Sequence, residues 1–220
     1  MLLCRSAGTS AVIGERGSGL LIGIVSDVHG NAPALATALD RMGDVDLLLC
    51  AGDIVEEYRF DNETVALLRD RGAVCVLGNH DLGLLGPHGG RARSAEHVDS
   101  ELVDWLGSHP TTHTLDIGGK SLLLTHASPC PPYTQYVMPG SVEVKRIASV
   151  EADYVVLGHT HRQMKQRMGR PFIINPGSVG QARDPHNGRR LSYAVLDTSD
   201  DRVEFDDFQS GDRISAVGRM

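Results

Sequence analysis

The chain has 220 residues, 41% of them apolar and 22% charged, with a mean hydropathy of −0.15: the ordinary make-up of one soluble globular domain. Its formal net charge of −7 argues against an extended grip on long nucleic acid, which takes many Lys and Arg contacts to phosphate. No apolar run is long enough to cross a bilayer, so no membrane partner is expected, whereas a small phosphorylated substrate stays open because a metal or a few local donors can hold it.

In chain order, residues 1–19 are rich in Gly and small side chains and read as a flexible extension. Leu20 to Val25 is a short apolar run that reads as a buried strand. Asn31 can cap a following helix with Pro33 in its first turn and Leu35, Ala38, Leu39 and Met42 as its apolar stripe. "DLLLCAGD" is a second strand ending in Gly-Asp. Asn62 to Arg71 reads as a helix with Val65, Leu67 and Leu68 inward and Gly72 as its stop. "AVCVLGNHD" is a third strand, so this part of the chain is βαβαβ, the pattern of a parallel sheet with helices packed on it.

Helical spacing of Val98, Leu102, Trp105 and Leu106 predicts a helix over 94–107, and Gly118-Gly119 predicts a hairpin between strands near 113–117 and 121–125. A Pro-rich loop at 129–132 and a helix near 141–150 precede the strand 154–157. "PFIINPGSVG", "LSYAVLDT" and an edge strand in "DRVEFDDFQ" complete the sheets. A single domain is expected over 20–208, with 209–220 as a flexible tail. Cys50 and Cys75 lie in apolar runs and read as small buried hydrophobes of a cytoplasmic protein.

The polar residues have a regular placement. Apolar runs end at once in metal-type donors: Asp27 and His29, Asp53, Asn79 and His80, His126, and the pair His159 and His161. In open α/β sheets the carboxyl ends of parallel strands share one edge, where ligands bind. Each residue alone has a plain structural role: Asp27 and Asp53 as turn formers, His126 as a hydrogen-bonded core histidine, Asn79 in a left-handed turn. Recurrence at five strand ends points instead to one site.

These motifs, D-x-H, G-D, G-N-H-D, a later His and G-H-x-H, make the sequence resemble the calcineurin-like metallophosphoesterases. With "SDVHGN" and "NPGSVGQ" it is most similar to their compact bacterial and archaeal phosphodiesterase branch. The fold this implies is an α/β four-layer α-β-β-α sandwich of two mixed sheets flanked by helices. The resemblance further implies Asp27, His29, Asp53 and His161 on one metal and Asp53, Asn79, His126 and His159 on a second, with Asp53 shared. Carboxylate, amide and imidazole donors without thiolate suit Mn, Fe, Zn, Ni or Co; the resemblance favours two Mn ions.

The expected chemistry is attack of a metal-bound hydroxide on phosphorus. His80 stands as the general acid, and either Glu56 or Asp81 as the carboxylate that orients it. Glu57 occupies the place where relatives acting on monoesters and dinucleotide polyphosphates carry a phosphate-gripping arginine, and its charge favours monoanionic diesters. Tyr133 and Tyr136 are candidates to stack on a base or aryl group, and Arg162, Arg183, Arg189 and Arg190 to contact phosphate. The runner-up readings are a phosphomonoesterase, a dinucleotide polyphosphate hydrolase and a non-catalytic interaction module; the full donor set with His80 argues against the last.

Overall fold

The structure, a computed structural model, describes residues 11–15, 17 and 19–210. Its first half runs β1 (Ala11–Ile13), β2 (Leu21–Val25), α1 (Ala32–Met42), β3 (Leu47–Cys50), α2 (Asn62–Asp70), β4 (Val74–Cys75), α3 (Asn79–Leu85), α4 (Gly90–Arg93) and α5 (Ser100–Gly107). The second half runs β5 (Thr112–Ile117), β6 (Lys120–Thr125), α6 (Val142–Ile147), β7 (Tyr154–Val156), β8 (Gln163–Arg167), β9 (Phe172–Pro176), β10 (Leu191–Asp197) and β11 (Arg202–Phe208).

Two mixed sheets result, with strand orders β1-β5-β6-β7-β9-β8 and β11-β10-β2-β3-β4. Strand alternation explains why they stack. Ile22, Ile24, Leu49, Leu122, Leu124, Tyr154 and Val156 point between the sheets into one shared apolar layer. Their neighbours face outward: Val25, Leu48 and Cys50 meet α1, α2 and α5, while Leu123 and Val155 meet Val144 and Ile147 of α6. The expected helix-sheet-sheet-helix sandwich is thus present. Burying each such Leu or Ile stabilises the fold by about 1.5–3 kcal/mol. Gly23 sits under α1, where any Cβ would overlap the Met42 sulfur.

The cap read from the sequence is present at α1, where Asn31 accepts from Ala34 N at 3.3 Å; α2 is capped by Asp61, unnoticed in the sequence, which accepts from Thr64 N at 2.8 Å. Leu67 is only partly buried against the layer that takes Val65 and Leu68.

Four elements differ from expectation. Ala11–Ile13, inside the segment read as a flexible extension, pairs in parallel with Leu115–Ile117 at a sheet edge. Residues 1–10, 16, 18 and 211–220, most of the two expected extensions, lie outside the described residues. The helix expected over 94–107 starts only at Ser100, because Asp99 caps Glu101 N at 2.9 Å. The helix near 141–150 spans Val142–Ile147 alone. Gln163–Arg167, too polar to read as a strand, forms an edge hairpin partner of β9.

Candidate metal centre

Strands β2, β3 and β4 run parallel, as do β6 and β7, so their carboxyl ends gather along neighbouring rims of the two sheets. The loops leaving these ends are stitched to one another. Asp27 N and His29 N donate to Gly52 O and Asp53 O, each at 2.9 Å, and Gly158 N donates to His126 O at 2.9 Å. Across the sheets, His159 N donates to Asp27 Oδ2 at 3.0 Å and Val179 N to Ser26 O at 3.1 Å. This closeness requires glycine at 158, where a Cβ would overlap Ser26 Oγ, and at 78, where it would overlap Asp53.

Six of the seven expected metal-binding side chains meet in the resulting hollow. His161 Nε2 lies 3.3 Å from Asp27 Oδ1 and 3.2 Å from His29 Nε2. His126 Nε2 lies 3.2 Å from Asp53 Oδ2, and His29 Nε2 lies 3.9 Å from that same oxygen. His159 completes a group with Asp53 and His126 whose donor atoms all fall within 4.8 Å of one another. The seventh, Asn79, is exposed at the start of α3 and lines a cleft shared with His126 and His159. Asp27, His29, Asp53, His159 and His161 all have positive φ, between 51° and 67°. Non-glycine residues adopt that region rarely, and such strain gathers at functional sites.

The electrostatics match a cation site. Burial pushes the His29 imidazole down to about 3 and those of His159 and His161 down to about 4, so all three are neutral near pH 7. Neutral imidazole is the metal-binding form. Burial pushes the Asp27 carboxyl up to about 7, as expected of an acid removed from water with too little countercharge. Asp53 is buried as well, but the hydrogen bond and charge of His126 prevail and hold it at about 2. Against its own burial, His126 is pushed up to about 9 by Asp53. His126 Nδ1 lies 2.7 Å from Ala51 O, an arrangement that commits Nδ1 to the backbone and presents Nε2 to the hollow.

Glu56 and His80 stand beside this cluster. Glu56 Oε2 lies 3.4 Å from His80 Nδ1, and its Oε1 lies 3.5 Å from His29 Nδ1 and accepts from Gln181 Nε2 at 3.1 Å. Asp81 has different work. It is fully buried, and its oxygens accept from Ile54 N at 2.9 Å, Val55 N at 3.0 Å and Gly78 N at 2.9 Å. Those bonds splice the Asp53 loop to the Asn79 loop, whereas Glu56 is the carboxylate that lies beside His80.

Residues 20–201 match the family model described as the calcineurin-like phosphoesterase superfamily domain. The chain belongs to that superfamily. An uncharacterized protein of Methanocaldococcus jannaschii is 30% identical over 212 residues, covering 84% of this chain and 85% of that protein. A symmetrical bis(5'-nucleosyl)-tetraphosphatase of Shewanella frigidimarina is 30% identical over 149 residues, covering 60% of this chain and 53% of that protein. Among solved structures, a metallophosphoesterase from Sphaerobacter thermophilus superposes with a TM-score of 0.73 at 28% identity, covering 88% of this chain and 90% of that one. Calcineurin-like phosphoesterases use divalent metals, and the Asp and His clusters of this member fit them.

Several residues of this phosphoesterase's site carry no sequence signal of their own. Asn175 Nδ2 donates to Gly158 O at 2.7 Å and to Thr160 Oγ1 at 3.1 Å, fixing the turn between the two histidines. Ser26 Oγ donates to Asp27 Oδ2 at 2.7 Å, and Arg59 Nη2 approaches His29 O at 3.4 Å. Of the expected phosphate-contacting arginines, Arg183 acts electrostatically on His29 and His161. Tyr133 lines the cleft, whereas the Tyr136 ring stacks on His159 at 3.9 Å.

Proposed function

We propose that the chain is a binuclear metal-dependent phosphodiesterase acting on small phosphodiester or nucleotide-type substrates in the cytoplasm. The observation that carries this is Asp53. One of its oxygens lies 3.2 Å from His126 Nε2 and 3.9 Å from His29 Nε2, which suits a carboxylate shared by two cations. Asp27, His29, Asp53 and His161 would hold one ion, and Asp53, Asn79, His126 and His159 the other. When bound, a pair of divalent ions, Mn favoured, supplies Lewis acidity and lowers the pKa of water toward neutrality.

The chain's own residues do the rest. With Nδ1 turned to Glu56, His80 keeps Nε2 for the leaving oxygen and can deliver a proton there. Glu56 also touches His29, so the acid and the centre share one orienting carboxylate. Glu57, half-buried beside Gly83 and hydrogen-bonded to Tyr58, adds negative charge near the site, disfavouring a dianionic monoester relative to a monoanionic diester.

The test is turnover of bis(p-nitrophenyl) phosphate against p-nitrophenyl phosphate by metal-loaded protein, with and without chelator. Metal-dependent preference for the diester supports the reading; faster monoester hydrolysis refutes it. The named tetraphosphatase relatives give a second reading, and diadenosine tetraphosphate belongs in the same assay.

A further inference from the structure

Beside the His126 and His159 half of the centre lies a cleft of about 570 Å³, a size suited to a small-molecule site. Its walls are unlike the metal loops. Leu77, Leu82, Leu123, Ala127, Pro129 and Tyr133 line it, and threonines, Asn79 and the two histidines supply the polar remainder. Among the described residues no Lys, Arg, Asp or Glu lines it. Tyr133 and Leu82 are 58% and 46% exposed, large apolar surfaces left in water at the edge of a charged centre. The charged groups lie instead toward His29 and His161, where Glu56 and Gln181 pack and Arg59 and Arg183 act.

We propose that this cleft receives a flat, uncharged aromatic substituent of the substrate's phosphoryl group, and not a polyphosphate chain. The proposal rests on the phosphoesterase reading of the adjoining centre and names the kind of substrate it takes. Asn79, His126 and His159 belong to both the centre and the cleft, so a phosphoryl group held at the metals projects one substituent between Leu82, Leu123 and Tyr133. An aromatic ring buries its faces there and can pack on Tyr133. Further phosphates would lose their water without meeting a single lysine or arginine.

The experiment is calorimetric titration of metal-loaded protein with phenylphosphonate and with methylphosphonate, which carry the same head group and need no turnover. Phenylphosphonate is expected to bind about ten- to a hundredfold more tightly, the gain of burying one ring. A 4-carboxyphenyl phosphonate should lose most of that gain. Tyr133→Ala and Leu82→Asp, both at exposed positions that the folded core does not need, should bring the phenyl-to-methyl ratio near one. Equal affinity for the two phosphonates, no binding of either, or a ratio unmoved by both substitutions overturns the proposal. Selective phenyl binding without diester turnover would leave the cleft standing and remove the phosphodiesterase reading. Metal-dependent diester turnover with equal affinity for the two phosphonates would do the reverse.

Discussion

Asn175→Ala should loosen the loop that carries His159 and His161. The amide is fully buried. It donates to Gly158 O at 2.7 Å and Thr160 Oγ1 at 3.1 Å, and its Oδ1 accepts from Gly177 N at 3.0 Å. Gly158 O and Thr160 Oγ1 keep the backbone N–H groups of Thr160 and Arg162, so each loses one bond of two. Gly177 N is stranded. An orphaned buried N–H costs about 1–3 kcal/mol and each lost bond about 0.5–1.5, so the sum is about 4 kcal/mol. For a chain of this size that lowers Tm by about 8–16 °C. Asn175→Asp should be no better, since a carboxylate oxygen would face the Gly158 carbonyl. The assay is thermal unfolding followed by far-UV circular dichroism, with metal content measured on the same samples. A Tm within about 2–4 °C of the parent, corresponding to about 1 kcal/mol, with metal retained would refute the reasoning.

Asp53→Asn should lower the metal bound per chain at both positions together, as read by elemental analysis; loss at one position only would show that the carboxylate is not shared. His80→Ala should reduce turnover about 10²–10⁴-fold while metal content holds. The deficit should shrink for p-nitrophenolate, which leaves without much help from an acid, and a deficit equal across leaving groups would count against His80. Glu56→Gln should show the same leaving-group dependence in weaker form. Chelation should lower Tm and Mn²⁺ should restore it, because Asp27 is a buried carboxylate with too little countercharge; an unchanged Tm would mean that the ions do not bind the folded hollow.

Burial periodicity and position made much of this architecture readable. Ile22, Ile24, Leu122 and Leu124 lie in short continuous apolar runs, as strands buried on both faces do, and Asn31 with Pro33 announces α1. The donors were readable because they follow apolar runs directly. What escaped had no local signature. Gln163–Arg167 is a strand because its backbone pairs with Phe172–Pro176, not because its side chains ask for a sheet. Ala11–Ile13 is only three residues long, with Val12 exposed, and does not stand out from a loose terminus. Asp81 looks like a site residue by adjacency, yet its three bonds run to backbone brought near only by the fold. Asn175, 15 residues or more from the groups it secures at 158 and 160, is visible only in three dimensions.

The left-handed backbone at Asp27, His29, Asp53, His159 and His161 limits how this centre can change. Asn, Asp, His and Gly enter that conformation more readily than other residues, and most others meet a penalty of about 1–2 kcal/mol at each site. Replacing these proposed ligands by Cys or Glu to court a different ion would therefore bend the loop as well as alter the donor. Repertoire at these corners is held to a short alphabet by the shape of the peptide itself, before coordination chemistry has any say.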